Sequence, residues 1–332
     1  MTTIPDPMTA PPLRWGFMST GWICQTVCQA MREATRQIPA AIGSRDLAKA
    51  QAFAEQHGIA AAHGSYEDLV NDPTVDIVYI GTPYSEHFAN ARLALEAGKP
   101  VLLEKSFTLT QAEGQQLADL AAQRGLFLME AMWTRFLPHQ RELRQRIADG
   151  ALGELITAVA DHGSRDPIDP TGRFYGKHLG GGSLYDRGIY PVSWIVDLFG
   201  LPDSVQAYGQ LTATGVDADM SAILGYAKRG AQAFANSSIR ARTPWTAWLA
   251  GSKGRVVVEE FWHPTTLQLY LGDAAVEVWQ YPVRSHGYEY ELAAVAEAVT
   301  DGLLTHPIMP SDQTVAILGI LDQIRNQLKM TW

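Results

Sequence analysis

Residues 13–24 read Leu-Arg-Trp-Gly-Phe-Met-Ser-Thr-Gly-Trp-Ile-Cys and decide the fold of the first half of the chain. The segment begins as a mostly apolar strand that ends at Met18, and it turns through Gly21 directly into a helical pattern. Such a turn is where a G-x-G-x-x-G motif holds a dinucleotide, and Ser19, Gly21 and Cys24 occupy its three glycine positions. Only the middle glycine of the motif is present. The location of the segment, directly after the first strand, therefore supports a dinucleotide-binding turn more strongly than the residue types do.

Strand and helix patterns alternate from this turn to about residue 130. Ile38–Ser44 precedes the helical pattern Leu47–His57, and Val75–Ile80 precedes Glu86–Ala97. Nearly continuous apolar strands that are joined by helices indicate parallel pairing with helices on both faces. The predicted fold class is therefore α/β, with an N-terminal doubly wound parallel sheet of the Rossmann type.

The pattern changes after Arg135. A helix over about Asp186–Phe199 is followed, from Ser204 to Tyr281, by short strand runs with glycines at the turns. Consecutive strands without intervening helices predict a large, mostly antiparallel sheet in an α+β domain. We expect a flexible leader over 1–12, a dinucleotide-binding domain over 13–131, and a domain for substrate binding and oligomerisation over 132–332.

Length and composition exclude several classes of protein. The 332 residues are 46% hydrophobic and 18% charged, which is typical of a folded chain with two domains. The formal net charge of −9 argues against a nucleic-acid partner. No apolar run approaches the roughly 18 residues of a membrane helix, and the proline-rich N-terminus does not resemble an export signal. Cys24 and Cys28 lack the spacing of a metal or redox site, so we expect packing thiols in a reducing cytoplasm.

The end of the second strand predicts which nicotinamide cofactor binds. An NAD site would place Asp or Glu there to accept the ribose hydroxyl hydrogen bonds, but the strand ends in Ser44 and Arg45. Because an arginine forms charge-assisted bonds with a 2′-phosphate, these residues favour NADP over NAD. The alternative is that Asp46 caps the next helix and Arg45 is merely solvated.

Three residues are candidates for the chemistry. Lys105 follows the strand Pro100–Glu104, and ligands of open α/β sheets lie beyond the carboxyl ends of the strands. Asp186 and Tyr190 are four residues apart, which places both side chains on one face of a helix's first turns. The alternative is a helix-capping aspartate and a core tyrosine.

Together these motifs resemble the Gfo/Idh/MocA oxidoreductases, the glucose-fructose oxidoreductase and inositol dehydrogenase family. The resemblance also rests on Thr82-Pro83 with His87, on the segment 97–105 (Ala-Gly-Lys-Pro-Val-Leu-Leu-Glu-Lys), and on Gly180-Gly181-Gly182. It runs from about residue 13 to the C-terminus. Segments 129–138 and 186–190 are most similar to the branch of dimeric dihydrodiol dehydrogenases and NADP-linked D-xylose dehydrogenases.

The resemblance implies hydride transfer between NADP and a secondary alcohol or hemiacetal carbon of a small sugar or cyclic diol, of the D-xylose or trans-dihydrodiol type. Tyr190 would be the general acid/base, Lys105 would lower its pKa, and Asp186 would orient the substrate or Lys105. No metal is expected. The implied cofactor-binding residues are Ser19, Thr20, Gly21, Trp22, Ile23, Ser44, Arg45, Thr82, Pro83, His87, Glu104 and Lys105.

The chain departs from the family pattern at two positions. Ser106 replaces the proline of the usual Glu-Lys-Pro sequence, so we expect that the backbone at Lys105 can take a different path. Ser19 replaces a glycine, which can alter the turn or bring a hydroxyl to the phosphate. The predicted substrate contacts are Trp133, Arg135, Phe174 and His178, although Trp133 and Phe174 would equally suit packing between domains.

Two other functions stay open. One is a ketosugar reductase of the same fold, such as an enzyme that makes 1,5-anhydro sugars. The other is a non-catalytic NADP-binding regulator whose second domain binds a protein. We also expect a homodimer or homotetramer through the C-terminal sheet, because the predicted strands would expose Val256, Val258, Leu267 and Leu269 on one face.

Overall fold

The computed structural model describes residues 5–272, 274–281 and 283–331. It divides into a first unit, Met1–Phe136 with Val283–Val315, and a second unit, Leu137–Pro282 with Ala316–Trp332. Among the described residues, no helix combines the length and the hydropathy needed to cross a bilayer.

The first unit contains a six-stranded parallel sheet with helices between the strands, as predicted. The elements are β1 (Arg14–Met18), α1 (Trp22–Ala34), β2 (Ile38–Gly43), α2 (Leu47–His57), β3 (Ala61–His63), α3 (Tyr66–Val70), β4 (Ile77–Ile80), α4 (His87–Glu96), β5 (Val101–Glu104), α5 (Gln111–Arg124) and β6 (Leu128–Ala131). The strands run in the order β3-β2-β1-β4-β5-β6, which is the doubly wound order of a Rossmann fold.

The second unit is built on an eight-stranded, mostly antiparallel sheet. The elements are α6 (Pro138–Ala148), β7 (Leu155–Gly163), α7 (Ile189–Phe199), β8 (Ser204–Leu211), β9 (Asp217–Tyr226), β10 (Ala231–Ser238), β11 (Ala247–Gly251), β12 (Arg255–Val258), β13 (Thr266–Leu271) and β14 (Ala274–Gln280). The strand order is β14-β13-β12-β11-β7-β10-β9-β8, and among the described residues the only parallel pair in it is β7 with β10. Helix α7 packs on β7 and β10. Two helices follow, α8 (Tyr288–Thr300) and α9 (Ser311–Gln327).

The division of the chain differs from the predicted domains at its C-terminal end. Residues 283–315 group with the first unit, whereas the sequence patterns assigned all of 132–332 to the second domain. The reason is packing: α8 is buried along most of its length, and it lies against α1 and the turn Trp133–Phe136. Local periodicity in the sequence does not predict that a helix will pack on a unit formed by a distant part of the chain.

The predicted leader makes several contacts where it is described; residues 1–4 lie outside the described residues. Asp6 forms an ion pair with Arg284 at 2.7 Å, and the Gln37 side chain donates to the Pro11 carbonyl at 2.8 Å. Ala10 is buried. Over residues 5–12 the chain is therefore held against the first unit.

The prediction for the open face of the second sheet was wrong. Val256, Val258, Leu267 and Leu269 are all buried rather than exposed. The opposite face carries the half-exposed and exposed apolar side chains, among them Ile223, Val276 and Val278. Since both faces of these strands carry apolar residues, alternation alone did not show which face is open.

Candidate active site

The loop between β1 and α1 has the form of a dinucleotide-binding turn. Ser19 takes a φ of 113°, a left-handed conformation in which glycine is favoured, and its Oγ accepts the Gly21 N–H at 3.0 Å. The hydroxyl therefore stabilises the turn from within. Gly21 is the N-cap of α1, and the first turn of that helix has no acidic residue. The free amides and positive end of the helix can thus hold an anion.

The remaining residues of this loop take different places. The Thr20 carbonyl accepts a bond from Gln25, and the Trp22 side chain is exposed. Cys24, at the third glycine position, is fully buried and faces Gly81, where an added Cβ would lie 2.7 Å from the Cys24 Sγ. Ile23 also closes on Gly81, at 2.9 Å from the same added Cβ. The close approach of α1 to the end of β4 is therefore made possible by Gly81 rather than by a glycine at position 24.

The end of β2 holds the residues predicted to select the cofactor. The Ser44 hydroxyl accepts the Asp46 N–H at 3.2 Å, and the Asp46 carboxylate caps α2. The capping alternative for Asp46 is thus confirmed. Arg45 is exposed, and among the described residues it forms no ion pair, so its guanidinium is open to a ligand.

His87 joins the loops that follow β4 and β5. One ring nitrogen lies 2.9 Å from the Thr82 carbonyl oxygen, and the other lies 2.9 Å from that of Ser106. Burial lowers the pKa of His87 to about 4, so a neutral ring can donate to only one of these carbonyls. The ring is 0% exposed, which favours a role in placing Thr82 and Pro83 over contact with a nucleotide.

Lys105 lies at the carboxyl end of β5, where a cofactor is expected. It is buried, and its Nζ lies 3.5 Å from the Tyr84 hydroxyl. The neighbouring Glu104 accepts the Tyr79 hydroxyl at 2.6 Å and the Lys105 N–H at 3.1 Å. The peptide bond between Lys105 and Ser106 is cis.

Two predicted substrate residues lie inside the first unit. The Trp133 ring is buried and packs on Tyr288, with ring centroids 4.5 Å apart. Arg135 is 2% exposed and donates to the Ile308 carbonyl and to the Gln313 side chain. These contacts favour a structural role for Arg135, in fixing residues 308–313 to the turn before α6.

In the second unit, Asp186 is held by two arginines. It lies in a π-helical turn, Leu184–Gly188, that precedes α7. Its carboxylate pairs with Arg173 and, at 3.1 Å, with Arg187. Asp186 does not cap the helix. Asp186 contacts these two arginines, whereas Tyr190 contacts aromatic rings.

Tyr190, in the first turn of α7, borders a cluster of aromatic rings. Its ring centroid lies 5.1 Å from His162 on β7 and 6.2 Å from Trp262. His162 stacks on Trp262 and meets Trp245 edge-on. The phenol is 7% exposed. Tyr190 is thus packed against a cluster of aromatic rings.

The predicted contacts from the loop before the glycine run differ in exposure. Phe174 is half-buried, and the guanidinium carbons of Arg173 and Arg187 lie 5.7 and 5.1 Å from its ring. His178 is exposed on the turn Lys177–Leu179. Sequence reasoning did not single out His162, Trp245 or Trp262, since no motif marks them. Among the described residues, no group of three or more potential metal ligands was found.

Comparison with known proteins agrees with this architecture. The Gfo/Idh/MocA oxidoreductase family, with an NAD-binding Rossmann fold, matches residues 13–132, and a Gfo/Idh/MocA C-terminal domain matches residues 140–257. The chain belongs to this family. The Gfo/Idh/MocA resemblance found in the sequence is therefore confirmed, and the protein is an oxidoreductase that depends on a nicotinamide cofactor.

Individual Gfo/Idh/MocA relatives cover nearly the whole chain. Trans-1,2-dihydrobenzene-1,2-diol dehydrogenase of Macaca fascicularis is 35% identical over 333 residues, which are 96% of this chain and 98% of the relative. The Homo sapiens enzyme of the same name is 34% identical, with the same coverage. Among solved structures, the aldose-aldose oxidoreductase of Caulobacter crescentus complexed with glycerol is 26% identical with a TM-score of 0.87, covering 96% of this chain and 98% of that one. A 3-ketoreductase of Actinomadura kijaniata with NADP and TDP-benzene is 25% identical with a TM-score of 0.84, at the same coverage.

Proposed function

We propose that this protein is an NADP-dependent dehydrogenase acting on a secondary alcohol or hemiacetal carbon of a small sugar or cyclic diol, of the trans-dihydrodiol or D-xylose type. The observation that carries the proposal is the placement of Tyr190 beside stacked aromatic rings in a chain 35% identical to dihydrodiol dehydrogenases. A polar phenol beside apolar ring faces can bind a polyhydroxylated ring and exchange a proton with one hydroxyl.

Each unit contributes a different part of the reaction. In the second unit, Tyr190 takes the hydroxyl proton during oxidation and returns it during reduction, and Asp186, fixed by Arg173 and Arg187, orients the substrate. In the first unit, Lys105 presents its ammonium beyond β5, where we assign it contact with the nicotinamide ribose and the substrate oxygen. A bound nicotinamide supplies the hydride chemistry, so the protein's tasks are position and proton handling.

The first test concerns the proton. Tyr190→Phe keeps the ring contacts with His162 and Trp262 but removes the hydroxyl. We expect kcat to fall by a factor of at least about 100, because general acid–base catalysis contributes roughly 10²–10⁴, while NADP binding measured by fluorescence titration is unchanged. Near-normal turnover would remove Tyr190 from the mechanism.

The second test concerns cofactor choice. The groups that fit NADP are the free amides in the first turn of α1, which begins at Trp22, and the exposed Arg45, with Ser44 beside it. Arg45→Ala should raise the KM for NADP at least tenfold and leave the KM for NAD nearly unchanged, because only NADP has a 2′-phosphate. Exposed Lys49→Ala on α2 is a matched control for removing a nearby positive charge. Equal effects on both cofactors would contradict the assignment.

A ketosugar reductase is the second candidate, favoured by the likeness to a solved 3-ketoreductase. A panel of sugars, ketosugars and cyclic diols, assayed in both directions by nicotinamide absorbance, separates the two candidates. Phe174 and His178 remain proposed substrate contacts. The dehydrogenase relatives and the joint presence of Lys105, Asp186 and Tyr190 argue against the regulator hypothesis.

We further propose that a second copy of the chain covers the open face of the eight-stranded sheet, giving a homodimer or homotetramer. The face carries Tyr208, Ile223 and Val278, which are 73%, 41% and 55% exposed. A monomer by light scattering would contradict this. Cys24 and Cys28 are free, buried thiols, and a reducing compartment such as the cytoplasm suits them.

A further inference from the structure

Asp217, the first residue of β9, is a buried carboxylate that caps the turn before α7. Its Oδ2 accepts the Leu184 N–H at 2.8 Å and the Ser183 hydroxyl at 2.7 Å. The Ser183 Oγ also lies 2.7 Å from the Ser237 Oγ on β10. The turn therefore begins on a hydrogen-bonded group that is contributed by two strands of the sheet.

The two ends of this turn leave no space between it and the sheet. Gly182 has a φ of +118°, and an added Cβ would lie 2.2 Å from the Asp217 Oδ1. At the other end, an added Cβ on Gly188 would lie 2.7 Å from the Met220 Cε and 3.0 Å from the Ser237 Oγ. The last glycine of the run that precedes Asp186, Gly182, is thus explained by close contact with Asp217.

Capping the turn with Asp217 lowers the stability of the folded protein, because the buried carboxylate charge has no counter-ion. Within the described part of the chain, Asp217 forms no ion pair and its Oδ1 has no hydrogen-bond partner. An uncompensated buried carboxylate lowers stability, whereas a serine or asparagine can cap a helix without charge. A feature that costs stability and contacts the turn carrying Asp186 is therefore a candidate for a functional role.

The charged groups around Asp217 do not neutralise it. On its own strand, Asp219 pairs with Arg240. On the turn, Asp186 pairs with Arg187. On β10, Ser237 pairs with Met220 and Ser238 pairs with Asp219, and on β8 Leu211 pairs with Asp217.

We propose that Asp217 is a positioning residue for the reaction, fixing the turn that carries Asp186 and leads directly into Tyr190. It acts through Ser183 and Leu184 and does not touch the substrate. The inference rests on the proposed function, because it gives the placement of Tyr190 a catalytic purpose. The ionised carboxylate is the stronger acceptor for the two hydrogen bonds, so it is the form that holds the turn.

Activity and stability should respond to the protonation of Asp217 in opposite directions. Burial raises the pKa of Asp217 to about 6, from an ordinary value of 3.8. A raised carboxyl pKa means that the folded state binds the proton more tightly than the unfolded chain, so this group's contribution to stability falls as pH rises from about 4 through about 6. Its contribution to activity, through the stronger hydrogen bonds, rises over the upper part of the same range.

The test compares Asp217→Asn, Asp217→Ala and Ser183→Ala with Asp203→Asn, an exposed aspartate at the start of the same sheet. Asparagine keeps an acceptor for Leu184 but does not ionise, and Ser183→Ala keeps the carboxylate if Asp217→Ala fails to fold. The measurements are kcat and KM from pH 5 to 8 for the full-length enzyme, thermal unfolding over the same range, and hydrogen exchange of residues 184–190.

We expect Asp217→Ala to lower kcat at pH 8 at least tenfold, with a change of less than twofold in the KM for NADP. Asp217→Asn should lose the fall in kcat below about pH 6 that wild type shows, while wild type gains thermal stability relative to this variant as pH decreases. Activity and stability that fall together, or kcat values equal to those of Asp203→Asn, would overturn the positioning role while leaving the proposed function intact.

A wild-type enzyme that is inactive on every sugar and diol would overturn the proposed function instead. Hydrogen exchange then decides the positioning inference by itself. Exchange of residues 184–190 at least tenfold faster in Asp217→Ala would support it, and unchanged exchange would overturn it.

Discussion

Glu130 on β6 provides a direct test of the electrostatics in the buried core of the first unit. The side chain is fully buried, and its Oε1 accepts the Phe107 N–H at 3.1 Å. Burial raises the pKa of Glu130 to about 7, and the nearby carboxyl groups of Glu104 and Glu291 share this buried region. The perturbation is Glu130→Gln, which keeps an acceptor for the Phe107 amide and cannot ionise.

The sign and size of the effect follow from the shifted pKa. The folded state binds the proton more tightly than the unfolded chain, whose pKa is 4.5. Stability therefore falls as pH rises from about 4.5 through about 7, because the buried carboxyl must ionise. Since one pKa unit corresponds to about 1.4 kcal/mol, the whole loss is about 3 kcal/mol, most of it between pH 5 and pH 8.

The assay is urea unfolding at pH 5, 6, 7 and 8, followed by circular dichroism. The free energy of unfolding of Glu130→Gln, relative to wild type, should increase by about 2 kcal/mol between pH 5 and pH 8. Glu67→Gln, at an exposed position on α3, is the matched control and should show no such trend.

A difference that does not change with pH would refute this reasoning, because it would mean that Glu130 has an ordinary pKa in the folded protein. A difference that decreases with pH would mean that the ionised carboxylate is stabilised, with Arg135 as the neighbouring positive charge.

Two further predictions concern backbone contacts. Gly182→Ala should lower the free energy of unfolding by at least about 2 kcal/mol more than Gly200→Ala. Both glycines have a positive φ, but of the two only Gly182 lacks space for a Cβ. Equal shifts in the thermal unfolding temperature of the two variants would contradict this prediction. Glu289→Ala should lower the free energy of unfolding by at least about 2 kcal/mol and speed hydrogen exchange at residues 284–287. The reason is that the buried Glu289 carboxylate accepts the N–H groups of Arg284, Ser285 and Gly287. Unchanged exchange at these residues would show that water replaces those hydrogen bonds.

Much of the fold followed from local patterns in the sequence. The helix Leu47–His57 begins and ends where the sequence pattern predicted, and the predicted helix Glu86–Ala97 is observed as His87–Glu96. β3, only three residues long, was missed, because Ala61 and Ala62 carry no β-branched signal.

The candidate site was predictable only in part. Lys105, Asp186 and Tyr190 are recognisable by their position after a strand or a glycine run. The rings around Tyr190 were not, because His162, Trp245 and Trp262 come from separate stretches of chain that only the sheet of the second unit brings together. Asp217 was missed for the same reason, since it lies more than 30 residues after the turn that it caps.

The sequence by itself determined a Rossmann unit with a glycine-containing turn after its first strand, an arginine at the end of the second strand, and a second unit rich in strands. These features depend on periodicity and on residues close together in the chain, where backbone geometry acts directly. Tertiary structure decided that residues 283–315 join the first unit, which face of the large sheet is open, and what surrounds Tyr190. Those outcomes depend on burial between segments that are distant in the chain, and local sequence patterns do not predict which segments will pack together.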